Sequence, residues 1–165
     1  MSSLRSVVEA GIWHLKFARQ QTLDLIKPIP ADKMTYQPFP GANHVLWNLG
    51  HLGIGDAYFV GMLGGKHALP ESWEKLFGMG SKPTPNPKDY PSLQEVLDQI
   101  AAAHEVLVKS FAGLSDAKLA EPLPKEMSMF APNLAYLAGS LAWHEGDHAG
   151  QIAVMRKAMG IAPRF

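Results

Sequence analysis

From Asn133 to Met159 the chain reads NLAYLAGSLAWHEGDHAGQIAVMRKAM, and the fold turns on this stretch. Leu134, Leu137, Leu141, His144, His148, Ile152, Met155 and Met159 recur at alternating three- and four-residue steps, the period of one face of an α-helix. The stripe predicts a helix over about Asn133 to Met159, stopped by Gly160 and Pro163. Two imidazoles therefore sit in an otherwise apolar seam. An unpaired polar ring there costs on the order of several kcal/mol, and the four-residue step sets the rings one turn apart on one face, where both reach a single ion. A lone HxxxH is as often a pair of satisfied histidines as a pair of ligands, so the rest of the chain must supply the deciding residue.

Three more stretches carry the helical period. Leu4, Val8, Gly11, Ile12, Leu15, Ala18, Thr22 and Leu25 predict a first helix from Ser3 to Ile26, ended by Pro28 and Pro30. Asn43 is the expected N-cap of a second, which carries Val45, Leu49, Leu52, Asp56, Phe59 and Leu63 on one seam and stops at Gly64-Gly65. Ser92 caps a third, whose apolar positions run from Leu93 to Phe111 before Gly113. Between the second and third, Lys66 to Pro91 is broken by Pro70, Pro83, Pro85 and Pro87 and allows at most a short turn of helix around Ser72 to Phe77. No alternating run argues for a strand. The expectation is an all-α fold, a four-helix bundle over residues 1–165 as one domain, with a long crossover connection between helices two and three. Such bundles build their metal sites from inward-facing side chains.

Composition narrows the chemistry. The 165 residues include no cysteine, so disulfides, thiolate zinc sites and a cysteine nucleophile are all excluded, and any metal site is built from nitrogen and oxygen ligands. Fifteen basic side chains balance fifteen acidic ones without a basic stripe, which argues against nucleic acid as a partner. No apolar run approaches the ~20 residues of a membrane span, and the amino terminus lacks an apolar signal core. A cytoplasmic protein acting on a small molecule is expected.

His51, in Leu49-Gly50-His51-Leu52, is the best third ligand, with Gly50 and Gly53 letting a neighbouring helix come close. Three histidines with the remaining positions open describe a catalytic zinc site, and imidazole also suits nickel, iron and copper. His144-Glu145-Gly146-Asp147-His148 matches the H-E-x-x-H signature of zinc proteases. Residues 149–165, however, hold no His, Asp, Glu or Cys to complete such a site, and Glu145 falls off the seam, where it reads as a solvated carboxylate. Asp147 and Gln151 flank the seam and are candidates to orient a histidine or a water. His104, between Ile100 and Leu107, could line the site from the third helix. His44, two turns before His51, and Trp47 are candidate substrate contacts. Asp56 is a seam carboxylate suited to a structural hydrogen bond or to proton transfer.

Two segments together, Pro40-Gly41-Ala42-Asn43-His44-Val45-Leu46-Trp47-Asn48-Leu49-Gly50-His51-Leu52 and Trp143-His144-Glu145-Gly146-Asp147-His148-Ala149-Gly150-Gln151-Ile152, resemble the signature segments of the DinB-like superfamily. The resemblance extends over nearly the whole chain, departing from the family pattern at His44 and Asp147. It implies a four-helix bundle with a histidine triad, carried here by His51, His144 and His148, holding one divalent ion: zinc or nickel first, iron next. Relatives include metal-dependent S-transferases and isomerases that use low-molecular-weight thiols such as bacillithiol or mycothiol, and many others are described only as metal-dependent hydrolases. Three functions follow as expectations: transfer of such a thiol to a small electrophile, hydrolysis by a metal-activated water with Asp147, Glu145 or His104 as candidate proton acceptors, or a non-catalytic metal-binding scaffold. A homodimer would use the apolar side of helix two that carries Trp47, Ile54, Tyr58 and Val60, unless the crossover covers it.

Overall fold

The computed structural model describes residues 3–164. Its helices are α1 (Leu4–Ile26), α2 (Val45–Met62), α3 (Ser72–Phe77), α4 (Leu93–Gly113), α5 (Asp116–Leu119) and α6 (Leu134–Ala158), with 3-10 turns at Ala31–Lys33, Pro87–Asp89 and Lys125–Met127. No strand occurs among the described residues, and no helix is long and apolar enough to cross a membrane. The four long helices lie where the apolar stripes place them, and α3 is the short helix expected in the crossover.

Local chemistry sets the helix ends. Ser3 caps α1 by accepting the Ser6 N–H, Asn133 caps α6 by accepting that of Ala135, and Ser92 with Glu95 forms a reciprocal capping box on α4. The cap of α2 differs from expectation. His44, rather than Asn43, holds that position, its Nδ1 accepting the Trp47 N–H at 3.0 Å. An imidazole with an unprotonated Nδ1 serves as acceptor just as a hydroxyl or carboxamide does. Asn43 instead donates to the Gln151 side chain at 3.2 Å, tying the start of α2 to α6.

Pairwise contacts give the directions of the helices. A Cβ on Gly11 would lie 2.9 Å from the Gly139 nitrogen, so α1 and α6 cross closely there, and Arg19 further along α1 meets Glu145 further along α6; these two helices run parallel. Gly53 packs on Ile100, and Asp56 meets His104, so α2 and α4 are also parallel. Arg5 reaches the Leu114 carbonyl while Arg19 reaches that of Ile100, which makes α1 antiparallel to α4. The order is up, down, down, up. Joining parallel α2 and α4 requires the chain to travel back the length of the 18-residue α2, about 27 Å, and the proline-rich crossover makes that return.

The apolar interior forms two clusters. One gathers Val8, Leu15, Phe59, Leu107, Phe111 and Leu137, and the other Ile26, Leu49, Phe77, Val96, Ile100 and Ile152. Between them every long helix contributes one ionisable side chain: Arg19 from α1, Asp56 from α2, His104 from α4 and Glu145 from α6. On α1 the inward positions are Arg19 and Ile26 in place of the expected Ala18 and Leu25.

Candidate metal centre

His51, His144 and His148 are brought together by α2 and α6, with one ligand-capable nitrogen from each lying within 4.8 Å of the other two. The Nε2 atoms of His144 and His148 are 3.1 Å apart, the separation expected of two nitrogens on one ion at Zn–N distances of about 2.0–2.1 Å. Partners on the far side of two rings set their tautomers. His51 Nδ1 donates to the Phe77 carbonyl at 2.8 Å, and His148 Nδ1 donates to Asn48 Oδ1 at 2.7 Å. Asn48 is itself oriented, because its amide nitrogen donates to the His44 carbonyl. With Nδ1–H committed, Nε2 of each ring keeps its lone pair for an ion. Trp47 stacks on His51 at 4.7 Å with planes 10° apart, and its indole N–H is held by Ser81 at 2.7 Å.

The electrostatics suit ligation. Burial, and then the neighbouring imidazoles of His144 and His51, push the His148 pKa down to about 3. Burial and His51 also lower that of His144, against an opposing pull from Glu145, Asp147 and Asp56. Both rings are therefore neutral at pH 7, the form that binds metal. The donor set fits a divalent ion that prefers imidazole.

The ionisable layer lies directly beneath. Arg19 binds Glu145 through two bonds of 2.9 Å and Asp56 through one of 3.0 Å, and also donates to the Ile100 carbonyl. His104 Nδ1 donates to the same Asp56 oxygen at 3.2 Å. Burial alone would lower the Arg19 pKa, but Asp56 and Glu145 more than reverse that, so the guanidinium is firmly charged. Glu145 is accordingly not the solvated carboxylate the sequence suggests: it is 1 % exposed. A bidentate guanidinium makes that burial tolerable.

A cavity of about 680 Å³ opens against His51 and His144. Ile54, Gly55 and Tyr58 of α2 form one wall, Leu69, Trp73 and Met79 of the crossover a second, and Met127 and Phe130 ahead of α6 a third. His44 and Trp47 do not line it. Both are buried, His44 as the α2 cap against Tyr90 and Trp47 behind His51, so they support the centre from within the protein. Asp147 is exposed and accepts from Gln151, and neither orients a triad histidine. That task falls to Asn48 and the Phe77 carbonyl. Their one sequence cue is Asn48 lying one turn before His51; nothing local announces a carbonyl from the crossover. His104 faces a different cavity, of about 650 Å³, between α1 and α4.

Fold and site together define a class: an up-down-down-up helical bundle in which one histidine of the second long helix and two of the fourth converge beside an apolar cavity. The family model of the DinB superfamily matches residues 14–152, and the chain belongs to that superfamily. No curated protein matches the chain.

Proposed function

We propose that the protein is a metal-dependent enzyme that joins a low-molecular-weight thiol to a small electrophile. The observation that carries this reading is the convergence of three imidazole nitrogens on the wall of a cavity large enough for a small molecule. His51, His144 and His148 would hold the ion, with Asn48 and the Phe77 carbonyl fixing two of the rings. When bound there, a divalent ion such as zinc or nickel supplies Lewis acidity that brings the pKa of a ligated thiol toward neutrality. The apolar walls seat the electrophile and keep water away from the reacting sulfur.

Thiol transfer is favoured over hydrolysis because the expected proton-transfer groups are engaged elsewhere. Glu145 has both oxygens on Arg19, Asp147 is at the surface, and His104 is bound to Asp56 beside the other cavity. Hydrolysis of an amide needs such a group to protonate its leaving nitrogen, whereas a thiol whose pKa is brought toward neutrality would release its proton to solvent, and its attack on an electrophile such as an aryl halide forms the S–C bond as the halide leaves as the anion.

The test has two parts. Metal content of protein purified without chelator is expected to be about one ion per chain, and far less in His51→Ala, His144→Ala and His148→Ala. Metal-loaded protein is then expected to accelerate consumption of bacillithiol, mycothiol or glutathione by a model electrophile such as chlorodinitrobenzene. A parent that stays empty in added zinc and nickel removes the metal reading, and ester turnover without any thiol moves the reaction to hydrolysis.

A further inference from the structure

The core stripe of α6 is not its only one. Tyr136, Gly139, Trp143, Gly146, Gly150 and Val154 recur at three- and four-residue steps on the side turned away from His148 and Ile152, and none of the six is charged. A Cβ added to any of the three glycines would meet nothing within 4 Å, so the stripe is an open furrow with Trp143 standing in it. Beside it on α1, Trp13 and Phe17 lie one turn apart with their rings stacked at 5.3 Å, facing away from the buried Val8, Leu15 and Arg19. Of the nine large apolar side chains exposed among the described residues, five stand on these two helices, which pack side by side as one layer of the bundle. The side of α2 expected to serve a homodimer offers no such face: Trp47 and Val60 are buried, and Ile54 and Tyr58 line the triad cavity.

A helix apolar on two sides is stable in water when both are covered, and area and shape point to what covers the outer one. Trp13, Phe17 and Trp143 are 60 %, 50 % and 70 % exposed, which at roughly 150–250 Å² per aromatic side chain leaves on the order of 400 Å² of ring surface in water. Tyr136, Val154 and the open glycine backbone bring the face toward the ~800 Å² per partner of a stable interface. The face is also complementary to itself, with knobs on α1 beside a furrow on α6. Gly11 meets Gly139 and the two helices run parallel, so Trp13 and Phe17 stand level with the turn that carries Trp143. A twofold axis laid along the groove between α1 and α6 sets α1 of each copy on α6 of the other, as an isologous interface requires. We propose that a second copy of the chain occupies this face, Trp13 and Phe17 of one copy seating against Gly139, Trp143 and Gly146 of the other. None of these residues lines the triad cavity, so pairing leaves that cavity open and is independent of the reaction assigned to it.

Sedimentation equilibrium of the full chain at tens of micromolar tests it. The parent is expected to sediment with the mass of two chains of 18.0 kDa, and Trp13→Glu/Trp143→Glu with the mass of one. Gly139→Gln fills the furrow while raising helix propensity, so its expected fall to a single chain cannot be blamed on a weakened fold. Phe39→Ser, which removes an exposed aromatic off this face, is expected to keep the dimer, and circular dichroism checks that all three variants retain their helices. A parent of single-chain mass, a dimer that survives both the double variant and Gly139→Gln, or one that Phe39→Ser dissociates as readily would overturn the proposal.

Discussion

Arg19 is the residue on which the charges of the interior depend. One guanidinium, 5 % exposed, faces two buried carboxylates, and taking it away leaves both without their cation. Arg19→Leu is expected to cost about 3–5 kcal/mol, read as a lower urea midpoint, because an uncompensated buried charge is far more expensive than a lost contact. Replacing the three charged side chains together, as Arg19→Met with Asp56→Leu and Glu145→Leu, is expected to recover part of that loss, His104 Nδ1 then lacking its Asp56 partner. If the triple variant is no more stable than Arg19→Leu, the cost lies in packing rather than in charge. This residue was not legible in the sequence, because apolar stripes are drawn through apolar residues and Arg19 interrupts one. Its step to Thr22 and from Leu15 is nonetheless core spacing, and that is the signal that could have found it. Glu145 was misplaced for a related reason. A helix face is about 100° wide, so neighbours such as His144 and Glu145 can straddle its centre, and a seam drawn through the histidine leaves the carboxylate outside.

At the scale of elements, the long helices were legible because each buries one continuous stripe and ends at a proline or glycine. The crossover was legible only as a break. What it supplies to the centre, the Phe77 carbonyl and the Trp73 wall, depends on where α3 docks, and α3 docks through glycines of α2. A Cβ on Gly50 would overlap the Phe77 ring, and one on Gly53 would come within 3.1 Å of the Trp73 ring. Gly50→Ala is therefore expected to push α3 outward, cost about 1–3 kcal/mol of stability, and weaken metal binding by disturbing the bond from His51 to the Phe77 carbonyl. Gly146→Ala on α6 has open space around it and is expected to be neutral or to stabilise by about 0.5–1 kcal/mol through helix propensity. Thermal melts and chelator competition on the two variants check both halves; equal metal affinity in Gly50→Ala and the parent would show that the carbonyl does not matter.

For the molecule as a whole, the buried imidazoles set the response to acid. Burial pushes the His44 pKa down to about 4, with the Thr84 backbone offsetting part of the effect, and the His148 pKa down to about 3, both from 6.5. In the unfolded chain these rings take up protons near 6.5 while the folded protein still keeps them neutral, so the unfolded state binds more protons and is favoured as the pH falls. Metal-free protein is expected to hold its stability above pH 6.5 and to lose it progressively between 6.5 and about 4, at up to about 1.4 kcal/mol per pH unit for each ring. Urea midpoints at pH 7.5, 6 and 5 measure this. A flat profile down to pH 5 would mean that the imidazoles are not held neutral by the fold.

The ionisable layer also divides the interior lengthwise. Leu107, Phe111 and Leu137 belong to one apolar compartment, and Leu49, Phe77 and Ile152 to the other, with Arg19 and its partners as the bulkhead between them. A packing defect at the α5 end meets charge before it meets the second compartment, and its apolar route to the imidazoles runs through Phe59, Met127 and Phe130 on the cavity wall. Sequence drift in that compartment is thereby felt at the metal centre through the cavity wall, whereas drift in the compartment of Leu49 and Phe77 acts on the groups that orient the imidazoles themselves.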